Sequence, residues 1–353
     1  MSNFAHPLYS KKRVNWAGDI LLAGSDASLA DHIQALEIIN NWRASHSQPL
    51  LSTRMSLSGR ARRVDPGALI AQRLKRLPSI ELKLRRNPHM RLSQMQDTGG
   101  CRAVVKDMPA LRDLYGMYAK SIESTDRSRP QCCEVYDYIA EPKGDGYRGL
   151  HLVYKYGTRT EALNTLYGGM RVEIQLRSHL QHVWATAVEI VGAFTHQALK
   201  SGLGSDQWRR FFVLMANAIA FRESAPRVPN AHLQREPLVA ELKKLARELG
   251  VVRALQSMKA VVQHISTEVQ SEKLFLLELD TQTGVVKVWG FGVGQDAIAN
   301  EQYLRVEKDI ADDPSKQAVL VTVDSLAALP NAFPNYYADT GAFLGEVQRL
   351  LTS

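Results

Sequence analysis

Cysteine is scarce in this chain of 353 residues, which contains only Cys101, Cys132 and Cys133. Three cysteines provide no disulfide framework, and because no Cys-x-x-Cys pair occurs, a structural zinc site is not expected. Long apolar runs are also missing, since no stretch is long enough to span a bilayer and residues 1–16 lack the apolar segment of a signal peptide. These absences predict a cytoplasmic protein that does not associate with membranes.

Acidic residues are outnumbered, with 36 Asp and Glu against 44 Lys and Arg, which gives a formal net charge of +8. This excess favours anionic partners such as nucleotides or RNA. The charge is uneven, because residues 54–91 contain eleven Arg and Lys but only Asp65 and Glu81 as acidic residues. A solvated basic face is the alternative explanation for such a run.

The length favours two domains, and the Pro-containing joint at residues 224–230 is the predicted boundary. The predicted fold class is α+β, with a mixed sheet flanked by helices over residues 1–225, including an N-terminal helical extension. A small α/β accessory domain is predicted over 230–353. It has no cluster of basic and acidic residues, which favours a role in regulation, partner binding or oligomer contacts over a second active site. A purely stabilising extension is the alternative, and a truncation near Arg227 is expected to stay soluble and keep its chemistry.

Helices are predicted where apolar residues recur at intervals of three and four. The first helix, extending to about residue 49, is predicted from Leu29, Ile33, Leu36, Ile39 and Trp42. Asp65-Pro66 is typical of a helix start, and the helix that follows is predicted to end at Pro78. A second short helix then brings together Ser79, Lys83 and Arg86. Another helix is predicted over 236–265.

Strands are predicted at 100–106, 135–139, 150–156, 171–177, 274–279, 285–288 and 318–323. The clearest alternation lies in 171–177, where Val172, Ile174 and Leu176 face one way. The polar residues of the same strand face the opposite way: Arg171, Glu173, Gln175 and Arg177.

Two carboxylates lie on separate predicted strands, Asp97 just before the apolar run 101–105 and Glu173 within 171–177. Mg²⁺ often takes only one or two protein carboxylates, with phosphate oxygens and waters completing its shell. If the two strands are neighbours, Asp97 and Glu173 fit that pattern. A carboxylate beside a metal can also accept the proton of an attacking hydroxyl.

Basic residues and a glycine-containing loop surround these carboxylates in sequence. The basic residues suited to neutralising a triphosphate are Arg73, Lys75, Lys83, Arg86 and Arg102. Loop 142–149 allows close backbone approach to a ligand through its glycines, and Tyr147 within it is suited to stack on a base. Taken singly, Asp97 also fits a turn cap, Glu173 an exposed strand residue and the loop an ordinary turn. Their occurrence together in one window favours a site.

This window resembles the synthetase domain of the RelA/SpoT family, which makes the alarmone (p)ppGpp. About 105 residues carry the resemblance, in ordered motifs: Arg73-x-Lys75, Ser79-Ile80-x-x-Lys83-x-x-Arg86, Asp97-x-x-Gly100-x-Arg102, Asp137-Tyr138-Ile139-x-x-Pro142-Lys143-x-x-Gly146-Tyr147-Arg148-x-Leu150-His151 and Glu173-x-Gln175-x-Arg177. No single motif is decisive, but the ordered set is highly specific. The chain contains no His-Asp dipeptide, so the family's hydrolase activity is not expected.

The resemblance implies a nucleotidyltransferase-like fold and transfer of the β,γ-diphosphate of ATP to the ribose 3′-hydroxyl of GDP or GTP, with release of AMP. It implies that Asp97 and Glu173 hold Mg²⁺ and that Glu173 also activates the hydroxyl. The ATP residues would be Arg73, Lys75, Ser79, Lys83, Arg86 and Arg102. The acceptor residues would be Lys143, Tyr147, Arg148, His151, Gln175 and Arg177, with Tyr147 stacked on guanine.

Two alternatives remain open on the sequence alone. The first is a toxin-type synthetase-like enzyme that pyrophosphorylates the 3′ end of tRNA, which the basic stretch 54–91 would bind. The second is a non-catalytic nucleotide sensor, against which the intact Asp97 and Glu173 argue.

Overall fold

The structure, a computed structural model, describes residues 4–122, 130–195, 206–229, 231, 234–258, 261–264, 274–292, 294–311, 313, 315–323, 329–334, 336–337 and 339–352. The α-helices in these ranges are α1 Lys11–Ala23, α2 Leu29–Ser45, α3 Ser47–Val64, α4 Leu77–Arg86, α5 Met108–Ile122, α6 Glu161–Tyr167, α7 His179–Phe194, α8 Asp206–Arg222, α9 Arg235–Glu248, α10 Val251–Ser257, α11 Asp296–Asp309, α12 Leu329–Ala332 and α13 Gly341–Thr352. The strands are β1 Leu69–Leu74, β2 Gly99–Val105, β3 Gln131–Asp137, β4 Leu150–Lys155, β5 Arg171–Ser178, β6 Val261–His264, β7 Leu274–Asp280, β8 Val285–Phe291 and β9 Lys316–Thr322.

All nine strands belong to one mixed sheet with the order β3-β4-β5-β2-β1-β9-β7-β8-β6. The pairs β2–β5 and β6–β8 are parallel, and the other neighbouring strands are antiparallel. The predicted fold class, α+β with a mixed sheet flanked by helices, is confirmed.

Strand β5 forms as its alternation predicts. Val172, Ile174 and Leu176 are buried in an apolar cluster with residues of α3, α5 and the neighbouring strands. The following helix, α7, begins at a capping box in which the Ser178 hydroxyl accepts from the Gln181 N–H and the Gln181 side chain accepts from the Ser178 N–H. The chain therefore leaves β5 in a fixed direction, and α7 covers the sheet.

The helix predicted to begin at Asp65-Pro66 is wrong, because these residues follow the end of α3 and lead into strand β1. The Asp65 carboxylate accepts hydrogen bonds from the N–H groups of Gly67 and Lys106 at 3.0 and 2.8 Å, which fixes the turn. Strand pairing on both sides of β1 then overrides the helical spacing of its apolar residues. Pro78 lies in the first turn of α4 and so begins a helix rather than ending one.

Two other helix predictions are wrong in part. Helix α2 exists, but its buried side is formed by residues such as Ile38, Ile39 and Trp42, whereas Leu29 and Ile33 are 78% and 61% exposed. The helix predicted over 236–265 is divided into α9 and α10 at Gly250, which has a φ of +56°, and residues 261–264 form strand β6.

The C-terminal strands extend the sheet across the predicted domain boundary. Strand β9 pairs with β7 on one side and with β1 on the other, so Arg73 of β1 lies opposite Val321. Ala71 of β1 is buried in the same apolar cluster as Phe275 and Val319. The division into residues 1–225 and 230–353 stays a prediction. Within the ranges that the structure describes, no helix combines the length and apolar character needed to cross a bilayer.

Candidate active site

A cavity of about 790 Å³ lies where β1, β2, β4 and β5 face helices α7 and α8. Most of the predicted site residues line it: Arg73, Lys75, Lys83, Asp97, Arg102, Lys143, Tyr147, His151, Glu173, Gln175 and Arg177. The two carboxylates line the same cavity because β2 and β5 are parallel neighbours, with Gly100 opposite Glu173 and Asp97 in the turn that precedes β2. The sequence-based condition that their strands be adjacent is therefore met.

Asp97 is held by two lysines from different elements. Its carboxylate accepts from Lys75 Nζ at 2.6 Å and from Lys83 Nζ on α4 at 2.8 Å. Burial alone would raise the pKa of Asp97, but the two ammonium groups hold this pKa well below its usual range. Burial lowers the pKa of Lys75 despite the neighbouring carboxylate. Asp97 is thus a permanent anion with two cations in contact.

Glu173 receives a hydrogen bond on each of its oxygens. The His151 Nδ1 lies 2.9 Å from Oε1, and Gln175 Nε2 donates to Oε2 at 2.6 Å. Burial alone would raise the pKa of Glu173, but the bond and charge of His151, with the bond from Gln175, lower it. Burial opposes the protonation of His151, yet the adjoining Tyr147 and Glu173 raise its pKa to about 9. The pair is therefore an imidazolium and a carboxylate at neutral pH.

Tyr147 continues this hydrogen-bonded chain toward Arg177. Its hydroxyl accepts from His151 Nε2 at 2.6 Å and from Arg177 Nη2 at 3.0 Å. Burial would raise the pKa of Tyr147, but the charges of Arg177 and His151 lower it to about 8. The hydrogen-bonded row therefore runs from the Glu173 carboxylate through His151 and the Tyr147 hydroxyl to Arg177, with a positive group on each side of the phenol.

The conformation of the loop that carries Tyr147 requires a glycine at position 146. Gly146 has a φ of +95°, and a Cβ placed there would lie 2.8 Å from the Ala216 Cβ of α8. Only glycine satisfies both the left-handed backbone and this close approach. The loop also brings the Lys143 ammonium over the rings of Tyr138 and Tyr147, at 4.1 and 5.3 Å from their centroids.

Comparison with known proteins relates part of this chain to a described family. Residues 72–193 match the family model described as the region found in RelA and SpoT proteins. This matched stretch, about a third of the chain, is called the RelA/SpoT region. A curated relative, the GTP pyrophosphokinase YjbM of Bacillus subtilis, is 33% identical over 128 residues, which are 34% of this chain and 54% of the relative. The chain thus spans about half the length of the curated relative that it matches.

Solved structures of similar proteins include two that resemble this chain over about half its length. The small alarmone synthetase 1 of Bacillus subtilis, bound to its product pppGpp, is 21% identical with a TM-score of 0.42, covering 51% of this chain and 89% of its own. A GTP pyrophosphokinase family protein of Streptococcus pneumoniae is 21% identical with a TM-score of 0.41, covering 50% and 85%.

Three predicted residues of the RelA/SpoT region do not line the cavity: Ser79, Arg86 and Arg148. Arg148 is 3% exposed and donates to the carbonyl oxygens of Ala216 and Pro226 at 2.6 and 2.8 Å. It ties the Tyr147 loop to α8 and to the joint after α8, so contact with an acceptor would break buried hydrogen bonds. Ser79 lies in the first turns of α4 and Arg86 at its exposed end.

Sequence reasoning missed several lining residues of the RelA/SpoT region. Tyr136 and Tyr138 stack at 5.8 Å with planes 8° apart, and Tyr138 packs edge-on against Tyr147. The alternation of tyrosines at 136 and 138 was the available signal, because side chains two apart share a face of a strand. Phe333 and Tyr336, from beyond the RelA/SpoT region, also line the cavity, and no local pattern indicates them.

The magnesium ion that the resemblance implies fits these carboxylates by donor chemistry. Both are oxygen donors on the lining of one cavity, and two suffice when phosphate oxygens and waters complete the shell. Within the part of the chain that the structure describes, no group of three or more His, Cys, Asp or Glu is arranged to hold a metal by itself. A cation would therefore displace some of the hydrogen bonds that Asp97 and Glu173 now accept.

Proposed function

We propose that this chain transfers pyrophosphate from ATP to the ribose 3′-hydroxyl of GDP or GTP in a Mg²⁺-dependent reaction, forming (p)ppGpp and AMP. One observation carries the proposal: one cavity of the RelA/SpoT region is lined both by Asp97, held by two lysines, and by Glu173, held by a histidine. The 33% identity to a GTP pyrophosphokinase supports the same reaction class.

The donor end of the cavity, defined by Arg73, Lys75, Lys83 and Arg102, would hold the ATP phosphates. Four cations can offset the charge of a triphosphate and of the diphosphate during transfer. Mg²⁺ held by Asp97 and Glu173 would neutralise the transferred group further. Lys75 and Lys83 would then turn from Asp97 to the phosphate oxygens.

The acceptor end, defined by Lys143, Tyr147, His151 and Glu173, would hold the guanine nucleotide. The 3′-oxygen attacks the β-phosphorus of ATP, the bond from that phosphorus to the bridging α,β-oxygen breaks, and AMP leaves. Glu173 takes the hydroxyl proton, while His151 holds the carboxylate in place through Oε1. The ring of Tyr147 offers a stacking surface to the base.

Incubation of the full chain with [γ-³²P]ATP, Mg²⁺ and one of GDP, GTP or bulk tRNA tests the proposal. We expect label in ppGpp or pppGpp, equimolar AMP, and no label in tRNA. Since the chain contains no His-Asp dipeptide, the product should persist after ATP is exhausted.

Each other outcome of the assay has a definite meaning. Label in tRNA alone would replace the proposal with the tRNA-modifying alternative. Failure to form AMP with all three acceptors, in a sample that still binds ATP, would support a nucleotide sensor. Unchanged turnover without divalent cations would remove the magnesium assignment.

A further inference from the structure

The C-terminal region, residues 230–353, contacts the donor end of the cavity at three places. The first is strand pairing: β9 lies beside β1, and Gln72 Nε2 donates to the Thr322 hydroxyl at 3.0 Å. Arg73, the next residue of β1, lines the cavity. The strand that presents Arg73 is therefore a central strand only because β9 covers its second edge.

The second place is a buried ion pair beside Lys75. Glu307 of α11 pairs with Arg43 at 2.9 Å, and the two side chains are 9% and 3% exposed. Arg43 Nε donates to the Lys75 carbonyl at 3.0 Å, and the Leu77 N–H donates to Glu307 at 2.9 Å. Helix α4 has no side-chain cap of its own, so Glu307 supplies an anion at its N-terminus.

The third place is Arg102, one of the basic residues of the donor end. Its Nη2 donates to the Ala332 carbonyl at 2.5 Å, and its guanidinium carbon lies 5.8 Å from the centroid of the Phe333 ring. Phe333 lines the same cavity, as does Tyr336, whose buried hydroxyl makes no hydrogen bond within the described residues. Ala332 and Phe333, at the end of α12, thus contact the guanidinium of Arg102, a residue that lines the cavity.

We infer that Phe333 is a positioning residue of the ATP site: it holds the Arg102 guanidinium at the lining of the cavity, where that group would contact the donor nucleotide. The inference rests on the proposed function. A guanidinium fixed by a carbonyl and an aromatic face loses less freedom when it binds phosphate or a base, so its contact is stronger. The C-terminal region would then form part of the lining of the nucleotide site.

In the competing arrangement, the contacts of Ala332 and Phe333 with Arg102 block the ATP site. If the Ala332 carbonyl and Phe333 withheld Arg102 from ATP, loosening them would tighten ATP binding and raise turnover. The two arrangements therefore predict opposite changes in ATP affinity for the same substitution.

The test measures equilibrium binding of α,β-methylene ATP and, separately, of GDP by full-length variants, with thermal melts of each. We expect Phe333→Leu to weaken binding of the ATP analogue about tenfold, the effect of losing one desolvated cation–π contact. GDP binding should stay within about twofold, and Phe333→Tyr, which keeps the ring, should restore the affinity. The matched control is Phe275→Leu, since Phe275 is fully buried in the same apolar cluster but does not line the cavity.

A double-mutant cycle with Arg102→Ala separates positioning from general loosening. If Phe333 acts through Arg102, Phe333→Leu adds little to the loss caused by Arg102→Ala. If Phe333→Leu does not fold, Phe333→Met, whose unbranched side chain adapts more readily to the space left by the ring, takes its place in every arm.

Several results would overturn the inference. These are equal ATP-analogue affinities for Phe333→Leu and Phe275→Leu, full additivity with Arg102→Ala, or tighter binding and faster turnover in Phe333→Leu. Absence of ATP-analogue binding by the wild-type chain would overturn the proposed function and the inference together. Normal wild-type binding with unaffected variants would overturn the inference alone.

Discussion

The two ends of the cavity differ in where their supports come from. At the acceptor end, Tyr147 and His151 are 4 residues apart, His151 and Glu173 are 22 apart, and Arg148 ties the Tyr147 loop to Pro226, 78 residues away. At the donor end, Arg102 reaches Ala332 across 230 residues, and Arg43 reaches Glu307 across 264. These supports of the acceptor end all lie before residue 230, whereas the donor end also depends on the far end of the chain.

Truncation after Arg227 is the strongest test of this difference. Removal of β9 converts β1 into an edge strand and exposes Ala71, which is now buried against Phe275 and Val319. We expect the truncated chain to aggregate or to lose its cooperative melt, measured by solubility and circular dichroism. The sequence alone predicts the opposite, so a soluble truncation that retains pyrophosphate transfer would support the division at 225–230.

Substitution of Glu307 tests the long-range support with the chain intact. Glu307→Gln leaves Arg43 buried without its ion-pair partner, which should lower the free energy of unfolding by about 3–5 kcal/mol. Glu301→Gln is the control, because Glu301 and its partner Arg305 are 77% and 73% exposed. It should change the free energy by no more than about 0.5 kcal/mol. Urea titrations of both variants make the measurement, and equal midpoints would show that α11 does not brace the donor end.

Asp97 contacts the donor-end lysines, Glu173 belongs to the acceptor end, and both would hold Mg²⁺ in the proposed reaction. Their loss should therefore stop transfer without unfolding the protein. Asp97→Asn and Glu173→Gln should each reduce turnover about a hundredfold or more, equivalent to about 2.7 kcal/mol in the barrier. Each variant removes a metal-ligand charge, and Glu173→Gln also removes the proton acceptor. AMP release at saturating Mg²⁺ is the assay, and near-normal turnover of either variant refutes its role.

Tyr147 should matter to the acceptor end alone. Tyr147→Ala should weaken GDP or GTP binding by about 1–3 kcal/mol, the value of a stacked base, and leave ATP-analogue binding within about twofold. Tyr147→Phe keeps the ring and removes the hydroxyl that accepts from His151 and Arg177, so its GDP affinity should stay close to that of the wild type. Calorimetric titrations of each nucleotide separate the cases. An equal loss of ATP-analogue and GDP binding would place Tyr147 in the donor pocket or give it a structural role.

The same contrast explains how much the sequence could reveal. Strand β5 was predictable because its alternating residues decide which face is buried, and Glu173 and Gln175 followed from that face. Asp97 required only that β2 lie beside β5. Strand β1 was not predictable, because Asp65-Pro66 satisfies the local rules for a helix start. The hydrogen bonds that make it a strand come partly from β9, about 250 residues later.

Side chains outside the local pattern were missed for the same reason. Phe333 stands in a stretch with no charge cluster and no periodicity that would connect it with Arg102. Arg148 matched a motif of nucleotide-binding proteins, but its buried contacts are to carbonyl oxygens of α8 and the joint that follows. A sequence motif identifies which residue is present, and only the packing around that residue shows which way it faces.

The late position of β9 has a consequence for synthesis of the chain. Gln72 and its partner Thr322 are 250 residues apart, so at 5–20 residues per second a ribosome needs roughly 10–50 s to deliver the covering strand. During that interval the outer edge of β1 carries unpaired N–H and C=O groups. A nascent chain that already contains the whole RelA/SpoT region therefore lacks a finished donor end until strand β9 has been made and has paired with β1.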